Sequence, residues 1–160
     1  MPSYRKIEAA DDGRIAEIIR ANLEKLGLAV PGTAYFDPEL DHLSAYDQAD
    51  PARRAYFVAP DEDGQVVGGV GIAEFVGIEN CTELQKLYPE DRAKGRGCGK
   101  KLMRIAEDQA RAAGYENLYL ETHTSLTAAL RLYDNMGYQR IEKPCSTPHG
   151  TMDRFYLKSL

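Results

Sequence analysis

A chain of 160 residues with 43% apolar and 28% charged side chains is long enough to bury a core without disulfide staples, and its length suits one domain. Twenty basic against 25 acidic side chains leave a formal net charge of −5, which excludes nucleic acid or an anionic membrane surface as a general partner, so any polyanion must be bound locally. The opening MPSYRKIEAADDGR is too charged for a signal peptide, no stretch approaches the ~20 apolar residues of a membrane span, and Cys81, Cys98 and Cys145 are too scattered for a disulfide framework or a zinc site, so a cytoplasmic, metal-free chain is expected.

Ile15, Ile18, Ile19, Leu23 and Leu26 recur at helical spacing, which predicts a helix from about Asp11 to Leu26, capped by Asp11 or Asp12 and stopped by Gly27. Residues 28–53 carry Pro31, Gly32, Pro38 and Pro51 and read as an irregular surface segment with a short helix around Glu39 to Tyr46, placed to line a pocket. AYFVAP, the turn DEDG and QVVGGVGIAEF give a hairpin, and CTELQKLY a further strand. The period then changes. A glycine-rich loop leads into a helix from about Gly97 to Ala113, whose expected buried stripe is Leu102, Met103, Ala106, Ala110 and Ala113. The strand NLYLET, a helix from about Leu126 to Met136, the strand YQRIEK and a last strand DRFYLKSL follow, an alternation that implies a partly parallel α/β sheet. Residues 1–160 are expected to form one domain.

The loop Lys94 to Gly99 sits where a strand passes into a helix N-terminus, with Arg92, Lys94, Arg96, Lys100 and Lys101 around it. Free backbone N–H groups and the positive end of the helix dipole converge at such a point, and glycines let phosphate oxygens reach the backbone. Two familiar phosphate loops fail on spacing. A P-loop needs GxxxxGK followed by Ser or Thr, whereas Gly95 precedes Gly99 by only four and Lys101 stands in place of the hydroxyl. A dinucleotide fingerprint needs glycine three positions after Gly97, where Lys100 stands.

Lys94-Gly95-Arg96-Gly97-Cys98-Gly99 does resemble the Gln/Arg-x-x-Gly-x-Gly/Ala motif of the GNAT superfamily of acyl-CoA-dependent N-acyltransferases, with lysine at the first position. LETHTSLTAALRLYDNMGYQRI, residues 120–141, is similar to the family's later segment through Ala129, Leu132, Tyr133, Gly137 and Tyr138; the asparagine usual seven residues before the tyrosine is Leu126 here. The resemblance implies a single mixed, mostly antiparallel twisted sheet of six to seven strands, flanked by about four helices and splayed between two central strands. It implies acetyl-CoA as co-substrate, with the pyrophosphate at Lys94, Gly95, Arg96, Gly97, Cys98, Gly99 and Lys100, and the pantetheine arm at backbone groups of Leu87 and Tyr88. Related proteins are often dimers, so a homodimer is compatible with it.

The reaction so implied is direct attack of a primary amine, on a small molecule, a lysine or a chain N-terminus, on the acetyl thioester in a ternary complex. Tyr133 falls on the family tyrosine and is expected to protonate the leaving thiolate, while Tyr138 packs. For the base, strand alternation puts Glu83, Gln85 and Leu87 on one face of CTELQKLY, opposite Leu84, Lys86 and Tyr88. Glu83 stands eleven residues before Lys94, a spacing that resembles that of the base glutamate in histone-acetylating relatives; a lysine-paired structural carboxylate is the other reading, and Glu74, Glu79 and Glu121 are reserves. His42, His123 and His149 lack metal-ligand spacing, and a nucleophilic role for Cys98 is disfavoured. Glu39, Asp41, Asp47 and Asp50 in the irregular segment suit a cationic acceptor such as a small amine or a lysine side chain; a plain solvated face is the other reading. The reading from another class is a non-catalytic acyl-CoA-binding sensor or interaction module.

Overall fold

The two periods in the sequence become strands and helices in the expected order. In the computed structural model, which describes residues 3–160, the chain runs β1 (Arg5–Lys6), α1 (Asp12–Lys25), α2 (Leu43–Gln48), β2 (Ala55–Pro60), β3 (Val66–Glu74), β4 (Cys81–Pro89), α3 (Cys98–Ala112), β5 (Asn117–Thr122), α4 (Thr127–Asn135), β6 (Gln139–Ile141) and β7 (Arg154–Ser159). All strands join one sheet in the order β1-β2-β3-β4-β5-β7-β6. Alternation along β2 builds two cores: Tyr56 and Val58 face Ile15, Ile19 and Leu23 of α1, while Ala55 and Ala59 face Leu102, Met103 and Ala106 of α3. Each fully buried aliphatic of α1 contributes about 1.5–3 kcal/mol relative to exposure. Among the described residues no helix is long and apolar enough to cross a membrane, and no cluster of His, Cys, Asp or Glu could hold a metal ion.

Every strand pair is antiparallel except β4 with β5. That parallel pair matches only Cys81 with Asn117, Thr82 with Leu118 and Glu83 with Tyr119, after which the strands part. The splay therefore opens at Glu83. A bulge follows it: Gly71 pairs with Gln85 and Gly69 with Tyr88, so Lys86 and Leu87 both stand opposite Val70, and Lys86 takes a left-handed φ of 50°. Gly69 and Gly71 make this possible. A Cβ at either would lie 2.4 or 2.6 Å from the ring of Tyr56, which crosses β3 so that its hydroxyl donates to the Lys86 carbonyl at 2.7 Å.

The bulge corrects the simple alternation. Leu87 packs with Leu84 against the α3-side core, away from Glu83, while Lys86 turns to the other face and binds Asp37 and Glu39. Asp11 stands at the N-cap position of α1, as expected, but makes no side-chain cap bond to the helix, because it also ends the 3-10 turn Ala9–Asp11 and its carboxylate is turned back to that turn's start. Asp11 accepts from the Glu8 N–H and Arg5, and Asp12 accepts from Ser44, tying α2 to α1. Gly27 ends α1 at φ 71°, as expected. Ala113 falls just past the end of α3 and is exposed; buried Glu107 occupies the helix's inner side instead, bonded by Tyr138 and Lys158. The short helix begins later than expected, as a 3-10 turn Leu40–His42 leading into α2. The two-residue strand β1 has no sequence signal of its own and forms because β2 offers it an edge.

The segment between α1 and α2 meets the segment between β6 and β7. Thr151 N–H donates to the Gly32 carbonyl at 3.1 Å, and a Cβ on Gly32 would stand 2.6 Å from Thr151 Oγ1. His149 Nε2 bonds the Asp37 carboxylate at 2.8 Å. These two segments come together on the side of the sheet where Lys86 and Glu83 lie.

Candidate active site

A groove of about 440 Å³ runs along the splay. Leu87, Tyr88 and Pro89 of β4 form one wall, the loop before α3 another, and Ser125, Leu126 and Thr127 with the start of α4 a third. Gly95 and Gly97 take left-handed φ values of 77° and 78°, and a Cβ at either would meet nothing within 4 Å, so the backbone is open to a ligand. The first bond of α3 runs from the Lys101 N–H to the Gly97 carbonyl at 3.0 Å. The amides of Cys98, Gly99 and Lys100 precede it and have no partner within the helix. Gly99 allows the approach of α4, since its Cβ would lie 3.1 Å from Leu132.

Of the residues expected to hold a cofactor, Leu87, Tyr88, Lys94, Gly95, Gly97, Gly99 and Lys100 line the groove, and Arg96 and Cys98 do not. Arg96 is exposed and Cys98 is buried near Gly68, where burial pushes its thiol up despite the helix N-terminus. That removes the chemical basis for a nucleophilic role. Asn22 and Lys25 of α1, with Leu26 just after it, also line the groove, and sequence reasoning missed them. Leu126 and Ala129 lie in it too, the first at the motif's usual asparagine position.

Glu83 sits at the fork of the splay, half-buried, and accepts a hydrogen bond from Gln85 Nε2 at 2.9 Å. Burial pushes its carboxyl up to about 7, helped by the nearby Glu121 charge and opposed by the Gln85 bond, His149 and Lys86. The reserve carboxylates differ. Glu74 accepts from Nε and Nη2 of Arg54, which keeps it below the usual carboxylate range. Glu121 accepts from Tyr119 at 2.9 Å and from Thr147, and Glu79 is exposed. Three of the acids expected to draw a cation are paired internally: Glu39 with Lys86, Asp41 with Arg20 and Asp50 with Arg53.

The model of the acetyltransferase (GNAT) family matches residues 11–138. An Escherichia coli (strain K12) protein named uncharacterized N-acetyltransferase YjgM is 38% identical over 143 residues, which are 88% of this chain and 84% of that relative. The chain belongs to the acetyltransferase (GNAT) family. It is an acyl-CoA-dependent acetyltransferase. Solved structures share the fold of this acetyltransferase: a GNAT-family acetyltransferase from Staphylococcus aureus Mu50 superposes with a TM-score of 0.83 at 16% identity, covering 98% of each chain. The PaiA N-acetyltransferase from Thermoplasma acidophilum, solved in complex with coenzyme A, gives 0.77 at 16% identity over 100% of each chain.

Tyr133 of the acetyltransferase is only 4% exposed, one helical turn after the groove-lining Ala129 and next to Leu132, and does not itself line the groove. Its ring tilts against Tyr138 and Tyr156 at centroid distances of 6.0 and 5.7 Å. Burial, with the neighbouring phenols of Tyr88 and Tyr156, raises its hydroxyl above the ordinary range, so it stays protonated at any working pH. Tyr88 lines the groove, and its phenol is one of the groups that raise the Tyr133 hydroxyl. Tyr138 packs and donates to Glu107 at 2.7 Å.

Proposed function

We propose that residues 1–160 act as one domain that moves an acetyl group from acetyl-CoA to a primary amine by direct attack, with Glu83 as general base and Tyr133 as general acid. The observation that carries this reading is the parting of β4 from β5 immediately after the Glu83–Tyr119 pair: it sets a carboxyl of raised pKa where the splay opens, outside the groove lining but on the strand whose later residues, Leu87 and Tyr88, border the groove that leads to the open amides of α3. Those amides, with Lys94 and Lys100, take the pyrophosphate, and Leu87 and Tyr88 border the pantetheine arm. A groove that aligns thioester and amine supplies rate through positioning.

An amine of pKa roughly 10 is neutral about one part in a thousand at pH 7, so a base must take its proton before or during attack. A carboxylate titrating near 7 combines adequate basicity with a large ionised fraction at that pH. The amine passes its proton to Glu83 as its nitrogen bonds the thioester carbonyl carbon; the tetrahedral oxyanion re-forms the carbonyl by breaking the C–S bond, the thiolate takes the Tyr133 proton by way of water, and the proton taken up by Glu83 returns through solvent to Tyr133. The acceptor is a cationic amine, drawn by Glu83 and Glu121 rather than by the paired acids of the α1–α2 segment.

Release of free CoA thiol from acetyl-CoA across a panel of small amines, lysine peptides and peptide N-termini tests the reading. Acetyl-CoA-dependent product with at least one amine is expected. Tight binding of acetyl-CoA without transfer to any amine in the panel would favour a binding module.

A further inference from the structure

The mouth of the groove is crossed by an ionic bridge. Lys25 Nζ, in the last turn of α1, lies 2.7 Å from Asp91 Oδ2, and Lys94 Nζ lies 2.8 Å from Asp91 Oδ1. Lys94 Nζ also donates to Asn22 Oδ1 at 2.8 Å. All four side chains border the same groove as Gly95, Gly97 and Lys100. One carboxylate thus offers an oxygen to each of two ammonium groups brought from elements nearly seventy residues apart. Among the described residues those two lysines are the only hydrogen-bond partners of the Asp91 carboxylate.

A carboxylate is out of keeping with the rest of this wall, whose polar contribution is donors: the free amides before Lys101, Lys94 and Lys100. It occupies what two lysines would otherwise present to a ligand. We propose that Asp91 is an internal stand-in for phosphate, holding Lys25 and Lys94 at the groove mouth until the phosphates of acetyl-CoA displace it, so that Lys25 is a cofactor-binding residue and Asp91 tunes cofactor affinity. The proposal rests on the reading of the groove as the acetyl-CoA site.

The exchange is electrostatically reasonable. Both lysines and the aspartate are more than a third exposed, so the bridge is screened by solvent and cheap to open. A phosphate brings more charge and more acceptor oxygens than a carboxylate, so it can engage an ammonium and the helix amides together. Asp91 stays ionised throughout, with a pKa lowered to about 2 by hydrogen bonds from Lys25 and Lys94, so the competition does not fade at ordinary pH.

The test is calorimetric titration of the full chain at low and high salt with two probes: acetyl-CoA, and S-acetylpantetheine, which carries the thioester arm without phosphates. Asp91→Asn keeps the side-chain shape and frees both lysines, so its affinity for acetyl-CoA should rise about three- to tenfold at low salt, with the gain shrinking at high salt. Lys25→Gln, at an exposed helix end, should weaken acetyl-CoA by a similar factor, and should cost more when introduced into Asp91→Asn, where Lys25 is no longer shared. Neither change should alter affinity for S-acetylpantetheine. If Asp91→Asn binds acetyl-CoA no more tightly than the parent chain, or gains equally toward S-acetylpantetheine, the stand-in role is overturned while the groove assignment survives. Parent chain that binds no acetyl-CoA overturns both. Should Asp91→Asn fail to fold, Lys25→Gln decides alone: undiminished acetyl-CoA affinity at low salt removes the cofactor contact.

Discussion

Lys86 Nζ lies 2.8 Å from Asp37 Oδ2, with the lysine side chain only 2% exposed. This pair joins the β4 bulge, whose next residue borders the groove, to the segment between α1 and α2, and Asp37 in turn holds His149 from the segment between β6 and β7. Burial would raise the Asp37 carboxyl, but the His149 hydrogen bond and the Lys86 charge hold it below the usual range. A single carboxylate therefore latches two surface segments to the strand that carries Glu83.

Breaking this pair from one side should be expensive. Lys86→Met leaves Asp37 buried with one cation fewer, and a loss of about 3–5 kcal/mol in urea unfolding is expected. The double variant Lys86→Met/Asp37→Asn should be less destabilised than the sum of the singles. Strict additivity would mean that the two side chains do not form a unit.

Glu83→Gln keeps the shape and the contact with Gln85 while removing the base. Turnover should fall by about 10²- to 10⁴-fold with acetyl-CoA affinity within twofold. In the parent chain kcat/KM for a fixed amine should rise with pH through about 7, the value to which burial pushes Glu83, because only the ionised carboxyl accepts the proton. The variant should lose that limb. A parent profile flat between pH 5 and 8 would point to another base.

Tyr133→Phe retains the rings packed against Tyr138 and Tyr156 and deletes the hydroxyl, so stability should hold. Turnover should drop by about 10²-fold or more with the acetyl-CoA dissociation constant unchanged. Turnover within a few-fold of the parent, with chemistry shown to limit the rate, would pass the acid role to water or to Tyr88.

Asp47 supplies a stability signature of its own. Burial pushes its carboxyl up to about 7 against the lowering effect of the Tyr56 backbone N–H. The folded chain then keeps a proton that the unfolded chain has released, so stability falls as pH rises from about 4 to about 7 and the cost stays constant above that. Asp47→Asn should stabilise the protein at pH 8 by on the order of 2 kcal/mol, and hardly at all at pH 4. Equal effects at both pH values would contradict the raised pKa.

Gly69→Ala tests the support of the bulge. The added methyl carbon would lie 2.4 Å from Tyr56 Cε1 and 3.0 Å from the Phe57 carbonyl, with Tyr56 itself buried and unable to swing away. A loss of about 1–3 kcal/mol is expected. Tyr56→Phe, which removes only the bond to the Lys86 carbonyl, should cost about 1 kcal/mol. A neutral Gly69→Ala would show that Tyr56 is not confined.

Sequence alone determined what depends on local chemistry. The 3.6-residue period of Ile15, Ile18, Ile19 and Leu23 specified α1, the two β-rich runs on either side of the DEDG turn specified β2 and β3, and the glycine pattern from Gly95 to Gly99 marked the helix start at which amides stay free. Glu83 was legible as a candidate because its strand and motif spacing are local too. What only the tertiary structure decided depends on contacts between distant segments. The bulge that turns Lys86 and Leu87 to opposite faces forms because Tyr56, thirty residues away, holds the Lys86 carbonyl, and no alternation pattern encodes that bond. Asn22, Lys25 and Asp91 meet at the groove mouth because α1 packs beside β4, and a helix end carries no local mark of the strand it will face. Which acids remain free was likewise settled by pairing across the fold, where Arg20 meets Asp41, Lys86 meets Glu39, and Glu83, with no cation in contact among the described residues, has its carboxyl pushed up to about 7 by burial.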